Sequence, residues 1–368
     1  MNAESTSELA PVALLGAILD PRTLERLDAR GWECLLSCAR RNAVLAYLAE
    51  KATSSGIIDE LPGNARAALL AARISAARLA QLARWELDRV RRALRPAGIP
   101  IIALKGVAYI LREMPHASTR LLADIDIMVP RDRIADAERE LLMAGWQGTT
   151  LDPYDQRYYR EWSHEIPPLL YPGRLLEVDV HHTICPPFSR LRPDPELLWA
   201  HSEPSVDDGV RLLSPIDSVL HAVVHLFFDS DFNSRFRDLL DLHELLAAFG
   251  ASNEFWPRLT AEARAQGLMR PLRYAFATLE RVLRTPIPAQ ATREVKRFKA
   301  TGLVDAWMTR TLESVLTPAD PEQWPPAYRG RLWLLYVRSH WLRMPPHLLL
   351  PHLVRKAVRR SQPVAVDV

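Results

Sequence analysis

Two aspartates lie two residues apart within an apolar run at residues 124–129. Side chains alternate between the two faces of a β-strand, so a strand here would place Asp124 and Asp126 on one face and Ile125 and Ile127 on the other. Adjacent carboxylates repel each other and are costly to remove from water unless a cation lies between them. Oxygen ligands of this kind suit a hard divalent ion, above all Mg²⁺, although a solvated pair at a strand edge is the simpler interpretation.

A third acid lies in a later run with the same alternating pattern. Residues 175–184 place Glu177, Asp179 and His181 on one face of a predicted strand and apolar residues on the other. If this strand neighbours the first, three carboxylates meet and can hold two divalent ions, Mg²⁺ or alternatively Mn²⁺. Two such ions clamp the attacking and leaving oxygens of a phosphoryl displacement. The simpler interpretation is that Asp179 faces solvent, as most aspartates do.

A lysine–glycine pair stands where a predicted strand gives way to a predicted helix. The β-branched run 99–104 predicts a short buried strand, and Lys105 and Gly106 precede a helix predicted over 107–114, which Pro115 ends. Glycine lets backbone N–H groups approach a phosphate, and the N-terminus of a helix favours anions. Lysine would add a point charge for a triphosphate. An ordinary turn is the alternative.

The elements that must position these residues form a helical segment, a mixed α/β core and a second helical segment. A long amphipathic helix is predicted over 65–94, and the turn signal at 172–173 predicts an antiparallel hairpin between the runs 164–171 and 175–184. Further helices are predicted over 131–145, 216–228, 236–249, 253–266, 270–283, 289–299, 303–316 and 331–344.

We therefore predict an α+β fold, in which a small mixed β-sheet core is flanked by N-terminal and C-terminal helical segments. The predicted boundaries are 1–97 for the N-terminal helical segment, 98–213 for the α/β core, 214–344 for the C-terminal helical domain and 345–368 for a basic tail.

Composition and charge are those of a globular protein and exclude several classes. The chain of 368 residues is 48% hydrophobic and 25% charged, and its net charge of +3 gives no reason to expect a nucleic-acid partner. Three cysteines without framework spacing favour a reducing compartment. The polar N-terminus does not resemble a signal peptide, and no apolar run approaches the ~20 residues of a membrane span, so a cytoplasmic protein is predicted.

The motifs described above, in their order along the chain, together resemble the uncharacterised nucleotidyltransferase family of the polymerase-β-type superfamily. The resemblance covers about residues 99–250. Its motifs are Leu104-Lys105-Gly106, Arg120 four residues before Asp124, Asp124-Ile125-Asp126, Val178-Asp179-Val180-His181, and His221 and His225 followed by Arg237-Asp238-Leu239-Leu240-Asp241.

The resemblance implies a Mg²⁺-dependent transfer of a nucleoside monophosphate from an NTP to a hydroxyl or phosphate of an acceptor, with release of pyrophosphate. Asp124, Asp126 and Asp179 would be both metal ligands and catalytic residues. Asp179 would share the second metal and take the proton from the acceptor hydroxyl, which requires it to lie within hydrogen-bond reach.

The resemblance also implies that Lys105, Gly106 and Arg120 bind the nucleotide. Members of the superfamily usually carry Gly-Ser at the phosphate turn, whereas this chain has Lys105-Gly106 in that region and a spacing of 18 residues from Gly106 to Asp124. Arg120 has two interpretations, a phosphate contact or a structural ion pair that holds the acidic strand, and both stay open at this point.

The candidates for the acceptor cleft are His164, His181, His225 and Arg237. The sequence does not identify the acceptor, which is a small molecule, a peptide or a protein. His221 and His225 also lie one helical turn apart, as in half of a helical metal site. The His-Asp doublet of such sites is absent, so packing or hydrogen bonding is the simpler role.

The C-terminal stretch 331–360 is basic, aromatic and free of acids. One interpretation is contact with an anionic membrane surface or a polyanionic substrate, and the ordinary one is a solvated helix packed against the body. For the whole protein, the alternative to catalysis is an inactive nucleotide-binding or interaction protein. The cost of burying three carboxylates without a function argues against this inactive alternative.

Overall fold

The computed structural model describes residues 3–149, 152–228, 232, 235–298, 302–319, 326–344 and 349. The N-terminal helices are α1 (Ala3–Leu19), α2 (Ala29–Arg41), α3 (Leu45–Ser54) and α4 (Gly63–Leu94). The helices after the core are α9 (Pro215–Phe228), α10 (Phe236–Phe249), α11 (Phe255–Ala265), α12 (Met269–Val282), α13 (Ala289–Arg297), α14 (Gly302–Leu316) and α15 (Pro326–Arg343).

The core between them contains short strands and short helices. In chain order these are β1 (Ile101–Ala103), α5 (Lys105–Leu111), β2 (Asp124–Met128), α6 (Ile134–Met143), β3 (Gln147–Gly148), α7 (Pro153–Arg157), a π-helical turn (Tyr158–Trp162), β4 (Leu169–Leu170), β5 (Glu177–His181), α8 (Pro195–His201), β6 (Glu203–Pro204) and β7 (Val210–Leu212). Short 3₁₀ turns occur at Pro21–Arg26, Ile58–Glu60, Arg95–Ala97, Ala117–Thr119 and Arg131–Arg133.

The described strands form one mixed sheet in the order β3-β4-β5-β2-β1-β7-β6. The central pair, β2 and β5, is parallel, and β1 pairs antiparallel with β2 and parallel with β7. Strands β4 and β5 form the predicted antiparallel hairpin, whose turn includes Gly173 at a φ of 80°. The predicted α+β architecture, a small mixed sheet flanked by helices, is confirmed.

One face of the sheet is apolar and the other carries the polar residues. Alternation places Ile125 and Ile127 of β2 in a hydrophobic cluster with Val178 and Val180 of β5. The acids Asp124, Asp126 and Asp179 therefore share the opposite face, as the two-residue period of a strand requires. On that face a small separate cluster contains Ile102, Leu104, Met128, Ile184, Leu198 and Leu213.

Helix α4 joins the sheet to the helical part of the molecule. Its C-terminal half buries Leu87, Val90 and Leu94 against the apolar face of the sheet. Its N-terminal half, through Ala65 and Leu69, belongs to a larger cluster that also contains residues of α1 to α3 and of α9 to α15. The N-terminal and C-terminal helices thus share one hydrophobic core. The exact segment boundaries at 97, 213 and 344 stay a prediction.

Several predicted elements differ from the observed ones. The strand predicted over 164–171 is reduced to Leu169–Leu170 and an isolated bridge at Glu165, because Pro167 and Pro168 lack the amide donors that a continuous ladder requires. The helix predicted from residue 107 begins at Lys105. The basic tail from residue 345 onward lies outside the described residues apart from Leu349.

A buried carboxylate on α4 fixes the hairpin that carries Asp179. Glu86 is 2% exposed and accepts hydrogen bonds from Trp146 Nε1 at 3.1 Å and from Arg174 Nη1 at 2.9 Å. The Arg174 guanidinium in turn lies over the Tyr171 ring, 3.5 Å from its centroid. Because Arg174 directly follows the hairpin turn, this network ties the hairpin to α4.

Glu86→Ala is expected to lower the free energy of unfolding by about 3 kcal/mol, since it leaves the half-buried Arg174 without its partner. The matched control on the same helix is Asp88→Ala. Asp88 pairs with Arg91 at 2.7 Å but is partly exposed, and its loss is expected to cost under about 1 kcal/mol. Urea unfolding of both variants measures the difference, and equal losses would contradict a special role for Glu86.

Candidate active site

Three acids of the sequence pattern lie on one face of two neighbouring strands. Asp126 and Asp179 are direct register partners across the parallel pair β2 and β5, and Asp124 is opposite Glu177. Asp126 is 2% exposed, whereas Asp124 and Asp179 are half-buried. The site is therefore a cluster of carboxylates, with its most buried member in the middle.

Asp126 is held by two cationic or hydrogen-bonding neighbours. Lys105 Nζ lies 2.7 Å and His181 Nε2 2.9 Å from the same oxygen, Asp126 Oδ1. An ionised carboxylate only accepts hydrogen bonds, so His181 carries its proton on Nε2. Burial alone would raise the pKa of Asp126, but the charge of Lys105 and the hydrogen bond from His181 bring it well below its usual value. Asp126 is therefore ionised.

Asp179 has the opposite environment. Its Oδ1 is buried and has no hydrogen-bond partner. Burial, together with the negative charge of Asp126, raises the pKa of Asp179 to about 7. The pKa of Asp124 is raised by the same two causes. Ionising a second carboxylate beside Asp126 is thus costly in the absence of a further cation.

This arrangement fits a divalent cation. Ligand atoms of Asp126, Asp179 and His181 all lie within 4.8 Å of one another, and the unpartnered Oδ1 of Asp179 is a donor atom with no other use. Asp124 lies on the same face but is not a member of that group of three. A divalent ion would offset the repulsion between the carboxylates.

Lys105 stands at the entrance to α5 in an uncommon backbone conformation. Its φ is 46°, the left-handed region that residues with a side chain rarely adopt. Burial would lower the pKa of Lys105, but the charges of Asp126 and Asp124 raise it above its usual value, so the side chain is protonated. The salt bridge with Asp126 offsets part of the cost of this backbone strain.

Gly106 is closely packed. A Cβ atom at this position would collide with the side chains of Leu122 and Arg120. The glycine is therefore required for packing against Arg120. A contact between the backbone of Gly106 and a phosphate stays a prediction.

Arg120 is 7% exposed and lies between two acids of α10. Its Nε donates to Asp241 Oδ2 at 2.8 Å, and its Nη2 lies 3.7 Å from Asp238 Oδ1. His116 Nε2 is 3.7 Å from the other oxygen of Asp241. Of the two interpretations that the sequence leaves open for Arg120, these contacts favour the structural ion pair. Its predicted contact with nucleotide stays untested.

The acceptor-cleft candidates fall into two groups. His164 and His181 have ring centroids 5.2 Å apart beside the acids. His225 lies on α9 with its ring 6.4 Å from that of His221. Among the described residues neither His221 nor His225 belongs to a group of three metal-ligating side chains. Asp241, the acid that follows them in the motif, instead forms an ion pair with Arg120. Arg237 Nη1 donates to the carbonyl oxygen of Leu121 at 2.6 Å, close to the start of β2.

Two residues of the site have no signal in the sequence. Glu165 Oε2 lies 3.4 Å from His181 Nδ1, yet it stands in a proline-containing run without strand alternation. Tyr159 lies in the π-helical turn, and burial, with the charges of Glu165 and Asp179, raises its pKa to about 12. A π-helical turn next to a site is itself an indicator of function, but it is visible only in the structure.

A comparison with known families identifies the family of the chain. The model of a family described as uncharacterised nucleotidyltransferase matches residues 28–284, well over half of the chain. The chain therefore belongs to this family, as the motifs predicted. No curated protein and no solved structure shows a significant match. In the part of the chain that is described, no helix is long and apolar enough to cross a bilayer.

Gly106→Ala is expected to destabilise the protein by about 1–3 kcal/mol, because Leu122 and the pinned Arg120 side chain would have to move. The matched control is Gly63→Ala at the start of α4, where a Cβ meets nothing within 4 Å. That control is expected to unfold at the wild-type urea midpoint or slightly above it. An unchanged midpoint for Gly106→Ala would contradict the packing role.

Proposed function

We propose that this protein is a Mg²⁺-dependent nucleotidyltransferase, with Mn²⁺ as the alternative ion. It would move a nucleoside monophosphate from an NTP to a hydroxyl or phosphate of an acceptor and release pyrophosphate. The observation that carries the proposal is the pairing of Asp126 with Asp179, whose Oδ1 is buried and unpartnered. Membership of a nucleotidyltransferase family supports the reaction type.

Asp126 and Asp179 would hold the cation, and Asp124 on the same face would complete the carboxylate set. When bound, the cation supplies charge neutralisation at the phosphates and orients the attacking and leaving oxygens. Asp179 is also the proposed general base for the acceptor hydroxyl, because burial and the charge of Asp126 raise its pKa to about 7, near the value that suits proton transfer at neutral pH.

Lys105 is the residue best placed to bind triphosphate. It is a half-buried cation whose ammonium group already contacts the central carboxylate, so a phosphate beside Asp126 would lie within its reach. Gly106 at the same turn is the proposed backbone contact, and Arg120 is proposed to act mainly by fixing α10 against the site. The acceptor would enter beside His164, His181, His225 and Arg237. This acceptor would be a small molecule, a peptide or a protein.

A second candidate, an inactive nucleotide-binding or interaction protein, is favoured by one observation. Lys105 and His181 together satisfy Asp126 Oδ1 within the chain itself. A carboxylate whose charge is already offset within the chain in this way has less need of a cation for stability. Release of pyrophosphate separates the two candidates, because only the transferase produces it.

The double variant Asp124→Asn/Asp126→Asn is expected to abolish Mg²⁺-dependent nucleotide binding and transfer while it keeps the fold. Thermal-shift titration of the wild type with ATP, CTP, GTP and UTP should give a Mg²⁺-dependent rise in melting temperature. At a ligand concentration of 100 times Kd the stabilisation is about 2.7 kcal/mol. The double variant should show no such rise.

The matched control is Asp132→Asn, which neutralises an exposed acid just after β2. It is expected to behave as the wild type in thermal shift and in pyrophosphate release with a panel of candidate acceptors. Circular dichroism checks that each variant is folded. Retained transfer in the double variant would rule out the proposed site, and NTP binding without pyrophosphate release from any acceptor would favour the inactive alternative.

A further inference from the structure

A second group of metal-ligating side chains adjoins the carboxylates. Atoms of His164, Glu165 and His181 that can bind a metal all lie within 4.8 Å of one another. Glu165 Oε2 is 3.4 Å from His181 Nδ1 and 3.9 Å from His164 Nε2. The proposed transfer reaction makes no use of Glu165, nor of His181 Nδ1.

The backbone holds these three residues in place. Glu165 and His181 form an antiparallel bridge. On either side of it, the amide of Ile166 donates to the carbonyl of Val180 at 3.0 Å, and the amide of His182 donates to the carbonyl of His164 at 2.9 Å. The ligand set therefore lies on two segments in fixed register. Such preorganisation reduces the entropy that a bound ion must overcome.

His181 presents a free nitrogen towards this group. The residue is 2% exposed, its Nε2–H donates to Asp126, and its Nδ1 is buried without a hydrogen-bond partner. Histidines that bind metals characteristically donate their other ring N–H to a carboxylate, which fixes the tautomer and strengthens the ligand. Asp126 holds His181 in that orientation, with Nδ1 directed to the side where Glu165 lies.

We propose that His164, Glu165 and His181 form a second cation site, selective for an ion of the Zn²⁺ class and separate from the oxygen site at Asp126 and Asp179. Two imidazoles and one carboxylate are the ligands of many three-ligand zinc sites, whereas Mg²⁺ prefers oxygen alone. Ligands about 2.0–2.2 Å from a tetrahedral ion lie about 3.4 Å apart. The observed separations of 3.4 and 3.9 Å from Glu165 need only a small adjustment.

The other occupant of this position is a proton. A doubly protonated His181 would bridge Asp126 and Glu165 as an imidazolium, and no metal would then bind at Nδ1. A further group, His201, Asp217 and Glu262, also has metal-ligand composition. There Asp217 Oδ2 accepts from Ser214 Oγ at 2.7 Å and lies 3.2 Å from His201 Nδ1, at the start of α9. That group serves as an internal control for zinc bound elsewhere.

The test uses the full-length protein, stripped of metal and supplied with excess Mg²⁺ so that the oxygen site is satisfied. Zn²⁺ alone is the probe, and competition with a chromophoric chelator gives stoichiometry and affinity. We expect one zinc ion per chain in the wild type. His164→Gln and Glu165→Gln should each weaken binding at least about tenfold, and Asp126→Asn should do so through loss of the orienting carboxylate.

His201→Gln is the matched control and should bind zinc as the wild type does. Thermal melts without zinc should show wild-type stability for Glu165→Gln, and added zinc should raise the melting temperature of the wild type and of His201→Gln but not that of Glu165→Gln. Absence of zinc from the wild type, or unchanged affinity in Glu165→Gln, overturns the proposal and favours the imidazolium. Loss of zinc binding in His201→Gln would show that the ion binds at His201, Asp217 and Glu262 instead. No nucleotide is present, so an inactive transferase does not affect the result.

Discussion

The structure of the core depends on the parallel pairing of β2 with β5, which sets Asp126 directly opposite Asp179. Two carboxylates in this register repel each other, and the half-buried position strengthens the repulsion because the local dielectric constant is low. The chain compensates for only one of them. Lys105 and His181 both contact Asp126, whereas Asp179 keeps an unpartnered oxygen. The asymmetry directs any further cation towards Asp179.

Packing around β2 and β5 maintains the unfavourable register that pairs Asp126 with Asp179. Val178 and Val180 are fully buried beside Ile125 and Ile127, so a shift of one residue would bring the acids into the apolar cluster. At the turn of the hairpin, Glu86 and Arg174 join it to α4. Burial of apolar surface and one partly buried ion pair thus keep together carboxylates that electrostatics alone would separate.

The sequence predicts those parts of the fold that have a local signal. Strands β2 and β5 alternate clearly, and long helices such as α4, α10 and α12 carry an amphipathic period, so both kinds of element were predictable. The short strands β3, β6 and β7 have too few residues for a pattern, whereas the equally short β1 lies in a longer β-branched run that predicts it. From the sequence, Glu86 is predicted to be an exposed charge on an amphipathic helix. In the structure it is buried beside Trp146 and Arg174, which are distant from it in the sequence.

The same limit applies to the site. Asp124, Asp126 and Asp179 are visible in the sequence because strand alternation places each on a definite face, and the hairpin signal brings Asp179 to the sheet. Glu165 carries no such signal, since its register with His181 depends on an isolated bridge beyond two prolines. The choice between a phosphate contact and a structural ion pair for Arg120 required the position of α10, because both acidic partners of Arg120 come from that helix.

His181 connects the two parts of the site through one imidazole ring. Its Nε2–H donates to Asp126 and its Nδ1 faces Glu165, so a change at either nitrogen is transmitted to the other. An electron-withdrawing partner at Nδ1 strengthens the hydrogen bond to Asp126 and reduces the charge that this carboxylate offers to a second cation. If Glu165 with its neighbours binds an ion, that ion and the one at Asp179 are therefore energetically coupled, and by linkage the coupling is equal in both directions. The ring is small and buried, which leaves no room for solvent to screen this coupling.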